Sequence, residues 1–168
     1  KAYYGKVNAE RACMSLPAGE YFTWNGSRFD MFFIYHLLRK NGFKKQAEVA
    51  GYSSAKKQLK RGEFNYLIAN GKLMKLTFRN SKGIVDIRDA CLLFTCSLAN
   101  FIKNTCPEKP KLEGNYDYDK YREFESDFTE DDKKYCIGDV EGFAIGMYRI
   151  VNEFQQEFGM NILESLTA

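Results

Sequence analysis

The chain is organised around Tyr21-Phe-Thr-Trp-Asn-Gly-Ser-Arg-Phe-Asp-Met-Phe-Phe-Ile34. Glu20 to Trp24 is rich in β-branched and aromatic residues and predicts a strand. Asn25-Gly-Ser27 is typical of a turn, and Phe29 to Lys40 has apolar residues at helical spacing. The stretch therefore predicts a strand that ends in a polar turn and continues into a helix. In α/β sheets, ligands and catalytic groups gather at the carboxyl ends of strands.

Length and composition indicate one soluble globular domain. The chain has 168 residues, of which 45% are hydrophobic and 28% are charged, and these fractions are ordinary for globular proteins. No apolar run approaches the roughly 20 residues that a membrane-spanning helix needs, so we expect no membrane partner. The formal net charge of +3 allows a nucleic-acid partner without requiring one.

The cysteines and the single histidine argue against two kinds of site. Five cysteines without a CxxC pair argue against a zinc site and predict reduced, mostly buried thiols in an intracellular protein. His36 lies among apolar residues of the first predicted helix, which argues against histidine-based nucleophilic catalysis. The cysteines are Cys13, Cys91, Cys96, Cys106 and Cys136.

Two stretches are predicted to be loops. Lys44 to Gly62 is polar and basic, and we interpret it as a solvated connection; the alternative is that its basic part, Lys44 to Arg61, contacts phosphates. Lys111 to Phe128 is dense in tyrosine and charge and predicts an extended loop. Between them, Cys96 to Asn104 predicts a short helix, which the prolines that follow it stop.

Three strands are predicted in the middle of the chain. Phe64 to Ala69 and Lys72 to Phe78 flank Asn70-Gly71, the strongest two-residue hairpin signal, because both turn positions need positive φ. A second turn leads into Ile84 to Asp89, a strand with alternate apolar residues on one face. The pattern predicts a three-stranded antiparallel meander.

The last element is the longest. Thr129-Glu-Asp-Asp132 is a capping box, and the helix that it begins is predicted to run to about Phe158, where Gly159 ends it. Apolar residues recur at intervals of three and four and predict a buried stripe. The stripe consists of Val140, Phe143, Ala144, Met147, Val151, Phe154 and Phe158.

Polar and small residues share another side of this helix. Tyr135 and Asp139 are spaced i, i+4, so they lie on one face. Gly142 and Gly146 fall on the same side, although each costs about 1 kcal/mol relative to alanine. We infer that a strand backbone or a nucleic-acid strand approaches there.

Two aspartates are candidates for metal binding. Asp30 and Asp139 each lie at the margin of an apolar element, and such carboxylates bind divalent cations. Two ions about 4 Å apart activate a water and stabilise the leaving oxygen in phosphodiester cleavage, and a hydroxyl at Tyr135 could orient that water. Two plainer interpretations stay open. Asp30 could be the N3 residue of a capping box whose N-cap is Ser27. Tyrosine and aspartate pairs with the spacing of Tyr135 and Asp139 also occur on many helix surfaces.

A resemblance to a known family covers roughly Tyr21 to Ala168. Asn25-Gly-Ser-Arg-Phe-Asp30, followed by Met-Phe-Phe-Ile34, resembles the second exonuclease motif of the protein-primed family B DNA polymerases of viruses, phages, linear plasmids and mobile elements. Tyr135-Cys-Ile-Gly-Asp139 resembles their third motif. The two motifs occur in the family's order, each in its expected structural setting.

Other segments resemble the same family. Ile87-Arg-Asp89, with the short helix from Ser97, is similar to the family's central strand and following helix. Phe158-Gly-Met-Asn-Ile162, with Leu166-Thr-Ala168 after it, is similar to the passage from exonuclease domain to palm. We therefore expect residues 1–158 to form a partial 3′-5′ exonuclease domain and residues 159–168 to begin the connection to a polymerase palm.

The resemblance implies a role for each site residue. Asp30 and Asp139 would bind Mg²⁺ or Mn²⁺ in a two-ion proofreading site, and Tyr135 would position the attacking water. Asn25 and Phe29 would hold the single-stranded 3′ end of DNA, where an aromatic ring stacks on a base for about 1–3 kcal/mol. A terminal priming protein is a further implied partner. The implied fold is α/β: an RNase H-like mixed sheet with an antiparallel meander and flanking helices.

The chain departs from the family pattern in three ways, of which the least important is Trp24, where the family commonly has histidine. No Asp-x-Glu motif precedes Asn25, so we expect the first strand of the fold to be missing and the metal site to be incomplete. Leu112-Glu-Gly-Asn-Tyr116 resembles a loop that often contains Lys-Gly. Either Glu113 or its neighbour Lys111 therefore occupies the place of a lysine that assists catalysis.

The sequence leads to one principal hypothesis and two alternatives. We expect a fragment of a protein-primed DNA-directed DNA polymerase that contains most of its proofreading exonuclease domain and is inactive by itself. The first alternative is a catalytically inactive RNase H-like module that binds single-stranded DNA or a terminal protein. The second is a standalone nuclease of the same fold.

Overall fold

The computed structural model describes residues 2–47, 58–111, 117 and 119–165. The chain forms two compact units. We call Glu10–Leu93 the sheet unit, and Lys1–Ala9 with Phe94–Ala168 the helical unit. Among the described residues, none of the helices combines the length and the apolar character that crossing a membrane requires.

A mixed five-stranded sheet forms the sheet unit, with strand order β1-β5-β4-β3-β2. The meander β3-β4-β5 is antiparallel, β1 pairs with β5 in parallel, and β2 pairs with β3 in parallel. This confirms the predicted mixed sheet with its meander. The strands are β1 Gly19–Thr23, β2 Lys44–Lys45, β3 Glu63–Ala69, β4 Lys72–Asn80 and β5 Gly83–Asp89.

Local turn chemistry explains the meander. Asn70 and Gly71 have φ values of 51° and 72°, as a two-residue turn with both central positions left-handed requires. Gly83 follows the second turn with φ 126°, and a Cβ there would lie 2.8 Å from the Cβ of Ala18. Both predicted turns are confirmed.

The two faces of the sheet differ in chemistry. One face forms the hydrophobic core with the first helix after β1, α2 Asp30–Lys40; Met31 and Leu38 of α2 are buried there with residues of β3, β4 and β5. The other face has a buried polar network. Asp86 accepts hydrogen bonds from Thr77 at 2.7 Å and from Arg88 at 2.8 Å. The alternation of apolar residues in β5 did not indicate that this second face is also buried.

Two parts of the chain differ from the expectation. A helix not expected from the sequence, α1 Lys6–Met14, precedes β1; its sequence shows little apolar periodicity, and none of its residues is buried. The stretch from Lys44 begins with β2 instead of a loop, because the amide of Lys44 donates to the carbonyl of Gly62 at 2.9 Å. Leu59 is buried. Residues 48–57 of that stretch, including Lys56 and Lys57, lie outside the described residues.

Helices and loops form the rest of the chain. Ser97 caps α4, Leu98–Thr105, through its hydroxyl, which accepts from the amide of Asn100 at 3.2 Å. Thr129 and Asp132 form the predicted capping box of α5, Glu130–Phe158, and Gly159 ends that helix with φ 66°. The elements are α3 Cys91–Phe94, α4 Leu98–Thr105, a 3₁₀ turn Glu125–Asp127, α5 Glu130–Phe158 and a 3₁₀ turn Ile162–Ser165. Residues 112–116, 118 and 166–168 lie outside the description.

The buried face of α5 coincides with the predicted stripe only at Met147. Gly142, Gly146 and Met147 are buried, whereas Val140 is 65% exposed, and Ala144 and Phe158 are exposed as well. The reason is α4, which packs directly on the glycines: a Cβ at Gly142 would lie 2.9 Å from Cδ1 of Ile102. The expectation that a strand backbone or a nucleic-acid strand approaches these glycines was therefore wrong; a helix does.

The cysteines agree in part with the expectation. All five residues, each within the described part of the chain, retain their thiols. Only Cys106 is fully buried, and the other four are half-buried, so the expectation of mostly buried thiols was too strong.

Candidate active site

The predicted polar turn lies between β1 and α2, at residues 24–29. Asn25 has a left-handed backbone with φ 61°. Asp30 is the first residue of α2, and the N-cap residue, Phe29, forms no side-chain cap. Ser27 is buried within the turn and does not cap the helix. The capping-box interpretation of Asp30 is therefore wrong, which leaves its carboxylate without that structural role.

Asp89, at the end of β5, fixes the turn. Its Oδ1 accepts hydrogen bonds from the amides of Asn25 at 2.9 Å and Cys91 at 3.0 Å, and its Oδ2 accepts from the amide of Ser27 at 2.9 Å. Asp89 is only 1% exposed. The sequence pattern predicted a strand that ends at Asp89 and indicated no role for its side chain. The signal that could have identified Asp89 was its position, as an acidic residue at the end of the strand that pairs with β1.

Asp30 lies in an environment that opposes its negative charge. The residue is exposed as a whole, but its carboxyl group is partly shielded. This burial, and secondly the charge of Asp89, raise the pKa of Asp30 above its ordinary value, while a backbone hydrogen bond acts in the opposite direction. A cation at this position would relieve both effects, and carboxylates with raised pKa values are common at functional sites.

Aromatic side chains extend from the same region into solvent. Phe29 is 59% exposed, and Phe32 and Phe33 on the first turn of α2 are exposed too. Exposed aromatic rings beside a polar turn can stack on unpaired bases. Phe29 is therefore accessible, and its contact with DNA stays a prediction.

The second group of candidates lies on α5 in the helical unit. Lys111 Nζ donates to the hydroxyl of Tyr135 at 2.9 Å and to both carboxylate oxygens of Asp139, also at 2.9 Å. The same ammonium lies 4.7 Å from the centroid of the Tyr135 ring. Tyr135 and Asp139 share a helix face as predicted, and Lys111 links their polar groups.

These contacts bear on the choice between Lys111 and Glu113 for the place of the lysine that assists catalysis in the family. Lys111 contacts both candidate residues, whereas Glu113 lies outside the described residues. Burial by itself would lower the pKa of Lys111, but its hydrogen bonds to Tyr135 and Asp139 and their charges offset this and raise the pKa. Lys111 is therefore a cation at neutral pH.

The donor chemistry suits a hard divalent cation only in part. Asp30 and Asp139 offer carboxylate oxygens, the ligands that Mg²⁺ and Mn²⁺ prefer. Within the described residues, however, no cluster of three or more histidine, cysteine or acidic side chains could hold an ion. Asp30 belongs to the sheet unit and Asp139 to the helical unit. Their convergence on one ion stays a prediction.

Comparison with solved structures identifies the fold. No protein-family model and no curated protein sequence matches the chain. Phi29 DNA polymerase in a ternary complex with primer-template DNA and incoming nucleotides is 17% identical, with a TM-score of 0.65 over 92% of this chain and 25% of that one. In its complex with single-stranded DNA it is 18% identical, with a TM-score of 0.63 over 91% and 25%.

At these identities the likeness concerns the fold, and this chain spans about a quarter of the length of the polymerase. The sheet order, the meander and the flanking helices belong to that common fold. The chain therefore has the RNase H-like fold expected from its sequence, and shares it with part of phi29 DNA polymerase, a protein-primed family B enzyme.

Proposed function

We propose that this chain is part of a protein-primed, family B DNA-directed DNA polymerase and contains most of its 3′-5′ proofreading exonuclease domain. Residues 1–158 form the partial exonuclease domain, and residues 159–168 begin the connection to the palm. The observation that supports this best is the contact of Lys111 with both Tyr135 and Asp139, because it joins a cation, a hydroxyl and a carboxylate at a site that sequence motifs had indicated. The shared fold agrees with it.

Asp30 and Asp139 would bind the metal ions, with further carboxylates supplied from outside the described residues. Bound Mg²⁺ or Mn²⁺ would activate a water and stabilise the leaving oxygen of the phosphodiester. The protein's own contribution is positioning. Lys111 orients the hydroxyl of Tyr135, which in turn orients the water, and its positive charge stabilises the negative charge that develops on the phosphate.

The β1–α2 turn would bind the substrate end. Phe29 projects into solvent, where its ring can stack on the terminal base of a frayed strand. The amide side chain of Asn25, on the left-handed residue of the turn, would hydrogen-bond the same nucleotide. Single-stranded DNA with a free 3′ end is therefore the substrate that we assign to this site.

One observation favours a second function. Lys111 already neutralises both oxygens of Asp139, so the pair is satisfied without a metal. This agrees with a catalytically inactive module that keeps the fold in order to bind single-stranded DNA or a terminal priming protein.

Adding an upstream strand with an Asp-x-Glu motif distinguishes the two functions. We expect the extended protein to degrade single-stranded DNA from its 3′ end in a metal-dependent manner. Asp30→Ala and Asp139→Ala should each lower the rate by at least about 100-fold, since even outer residues of metal sites cost 10–100-fold. Asp131→Ala is the matched control, because Asp131 is an exposed carboxylate of the same helix. Full activity in both site variants would refute the assignment, and binding without cleavage would support the inactive module.

A further inference from the structure

The carboxylate of Asp89 is a deeply buried charge beside the proposed site. The residue is 1% exposed, and burying a carboxylate is costly unless hydrogen bonds satisfy it. Three backbone amides do so here, from Asn25, Ser27 and Cys91, at 2.9, 2.9 and 3.0 Å. Hydrogen bonds to a charged acceptor are roughly twice as strong as neutral ones. These three hydrogen bonds therefore strongly favour one backbone conformation of the β1–α2 turn and of the residues that follow β5.

That backbone is in a conformation that needs support. Asn25 is left-handed, a conformation that costs most residues with a side chain roughly 1–2 kcal/mol and asparagine less. The turn is also tight, because a Cβ on Gly26 would lie 2.6 Å from the Cβ of Thr23. Strained residues of this kind persist where the surroundings determine them. Thr23 and Asp89 are register partners of the parallel pair β1 and β5, so the two strands bring the carboxylate directly to the turn.

We propose that Asp89 is a positioning residue, a buried support that fixes the β1–α2 turn to the end of β5 and so sets the places of Asn25 and Asp30 for binding the 3′ end of DNA. This inference rests on the proposed function of the turn. Asp89 is not a metal ligand in this assignment, because its carboxylate is 1% exposed and is directed at backbone amides of the turn.

Asp86 provides a matched control on the same strand. It is fully buried, like Asp89, but it accepts hydrogen bonds from the side chains of Thr77 and Arg88, whereas Asp89 accepts them from the turn. Substitution of either aspartate removes a buried charge. Only the change at Asp89 should loosen the turn.

The experiment compares Asp89→Ala, Asp89→Asn and Asp86→Asn in the 168-residue chain. Amide hydrogen exchange by NMR reports on the turn directly, and fluorescence anisotropy with a single-stranded oligonucleotide reports on binding. In Asp89→Ala we expect the amides of Asn25 and Ser27 to exchange at least tenfold faster and the affinity to fall about tenfold, the result of losing roughly 1.4 kcal/mol. Asp86→Asn should leave both readouts unchanged even if its melting temperature falls.

Asp89→Asn provides a second, residue-specific test if the alanine variant does not fold. Asparagine retains one carbonyl oxygen, which can still accept from Asn25 and Cys91, but it places a donor opposite the amide of Ser27. We therefore expect the Ser27 amide to lose most of its protection while that of Asn25 keeps it. Unchanged exchange at Ser27, or exchange that rises equally in Asp86→Asn, would refute the proposal. If the unsubstituted chain does not bind the oligonucleotide, the proposed function of the turn fails, and the exchange data still decide the role of Asp89.

Discussion

Lys111 is the residue whose position explains most about the proposed chemistry. Its ammonium contacts Tyr135 and Asp139 together, and the motif that contains those two residues did not include it. The sequence offered Lys111 and Glu113 as alternatives for one role. The observed contacts favour the lysine, because a cation rather than a carboxylate would stabilise a phosphate that gains negative charge.

Removing this charge should slow the chemical step. In the protein extended by an Asp-x-Glu strand, Lys111→Gln is expected to lower kcat for single-stranded DNA by about 100–1,000-fold with little change in KM, as for other preorganised donors. Steady-state kinetics with an end-labelled oligonucleotide measure both constants. Lys109→Gln is the control, since Lys109 pairs with Glu141 on the surface. Equal effects of the two substitutions would show that general electrostatics, and not the site, is responsible.

The ionised side chain of Asp30 should destabilise the folded state. Its pKa is raised above the ordinary 3.8 by burial and by Asp89, so the ionised carboxylate disfavours the folded state once the pH exceeds the unfolded value. Asp30→Asn is therefore expected to raise the melting temperature at pH 7 without metal. The gain should be no more than about 0.5 kcal/mol, because the residue retains contact with water.

Thermal unfolding of both proteins between pH 3 and pH 7 checks this. The advantage of Asp30→Asn should disappear as the pH falls below the ordinary carboxyl pKa, where both states of the unsubstituted protein are protonated. A lower melting temperature for the variant at pH 7 would mean that Asp30 stabilises the fold and has a structural role.

At the scale of elements, the packing of α4 against α5 depends on glycine. Alanine has the higher helix propensity by about 1 kcal/mol, but a Cβ at Gly146 would lie 2.7 Å from Cε1 of Phe101. We expect Gly146→Ala to destabilise the protein by about 1–3 kcal/mol, as overpacking does. Val140→Ala, on the exposed face, should change stability by no more than about 0.5 kcal/mol. Urea unfolding measures both changes in stability. A larger loss for Val140→Ala than for Gly146→Ala would mean that the stripe predicted from the sequence is the buried face of α5.

An ion pair also connects the segment after α4 with α5. Arg149 donates hydrogen bonds to Glu108, and these hydrogen bonds are the main reason that the pKa of Glu108 falls from 4.5 to about 2. A lowered carboxyl pKa contributes stability above the unfolded value and loses it as the pH falls toward the folded value.

We expect the stability difference between the unsubstituted protein and Glu108→Gln to be present at pH 6 and to shrink from pH 4.5 to about 2. Both side chains are about half exposed, so the difference will be small and reduced by salt. Denaturant unfolding at several pH values measures it. A difference that does not depend on pH would contradict the pairing.

At the scale of the whole molecule, the proposed function depends on the prediction that the carboxylates of Asp30 and Asp139 lie close enough to bind one metal site. Asp30 and Asp139 must bind the same metal site if the nuclease assignment is correct. In an NMR titration with Mn²⁺, we expect the amide signals of both residues to broaden together, and Asp30→Ala to remove the broadening at Asp139. Asp131→Ala, which changes an exposed carboxylate, should leave the titration as it was. Independent broadening of the two aspartates would contradict a shared site.

The sequence by itself determined the elements whose signals are local. The turn at Asn70-Gly71, the capping box from Thr129 to Asp132 and the helix end at Gly159 all follow from the conformations of a few adjacent residues. The same holds for the spacing of Tyr135 and Asp139. Motifs of this kind also indicated the fold, even though identity with solved structures of that fold is as low as 17%.

Only the tertiary structure decided which residues meet across the chain. α4 selects the buried face of α5, Lys111 reaches Asp139 from a loop, and Asp89 supports a turn more than 60 positions earlier, with a separation of 62 residues to Ser27. These contacts depend on how distant segments pack, and the amphipathic pattern of one helix or strand contains no information about its partner. Periodicity therefore predicted the elements, and packing assigned their faces and their functional neighbours.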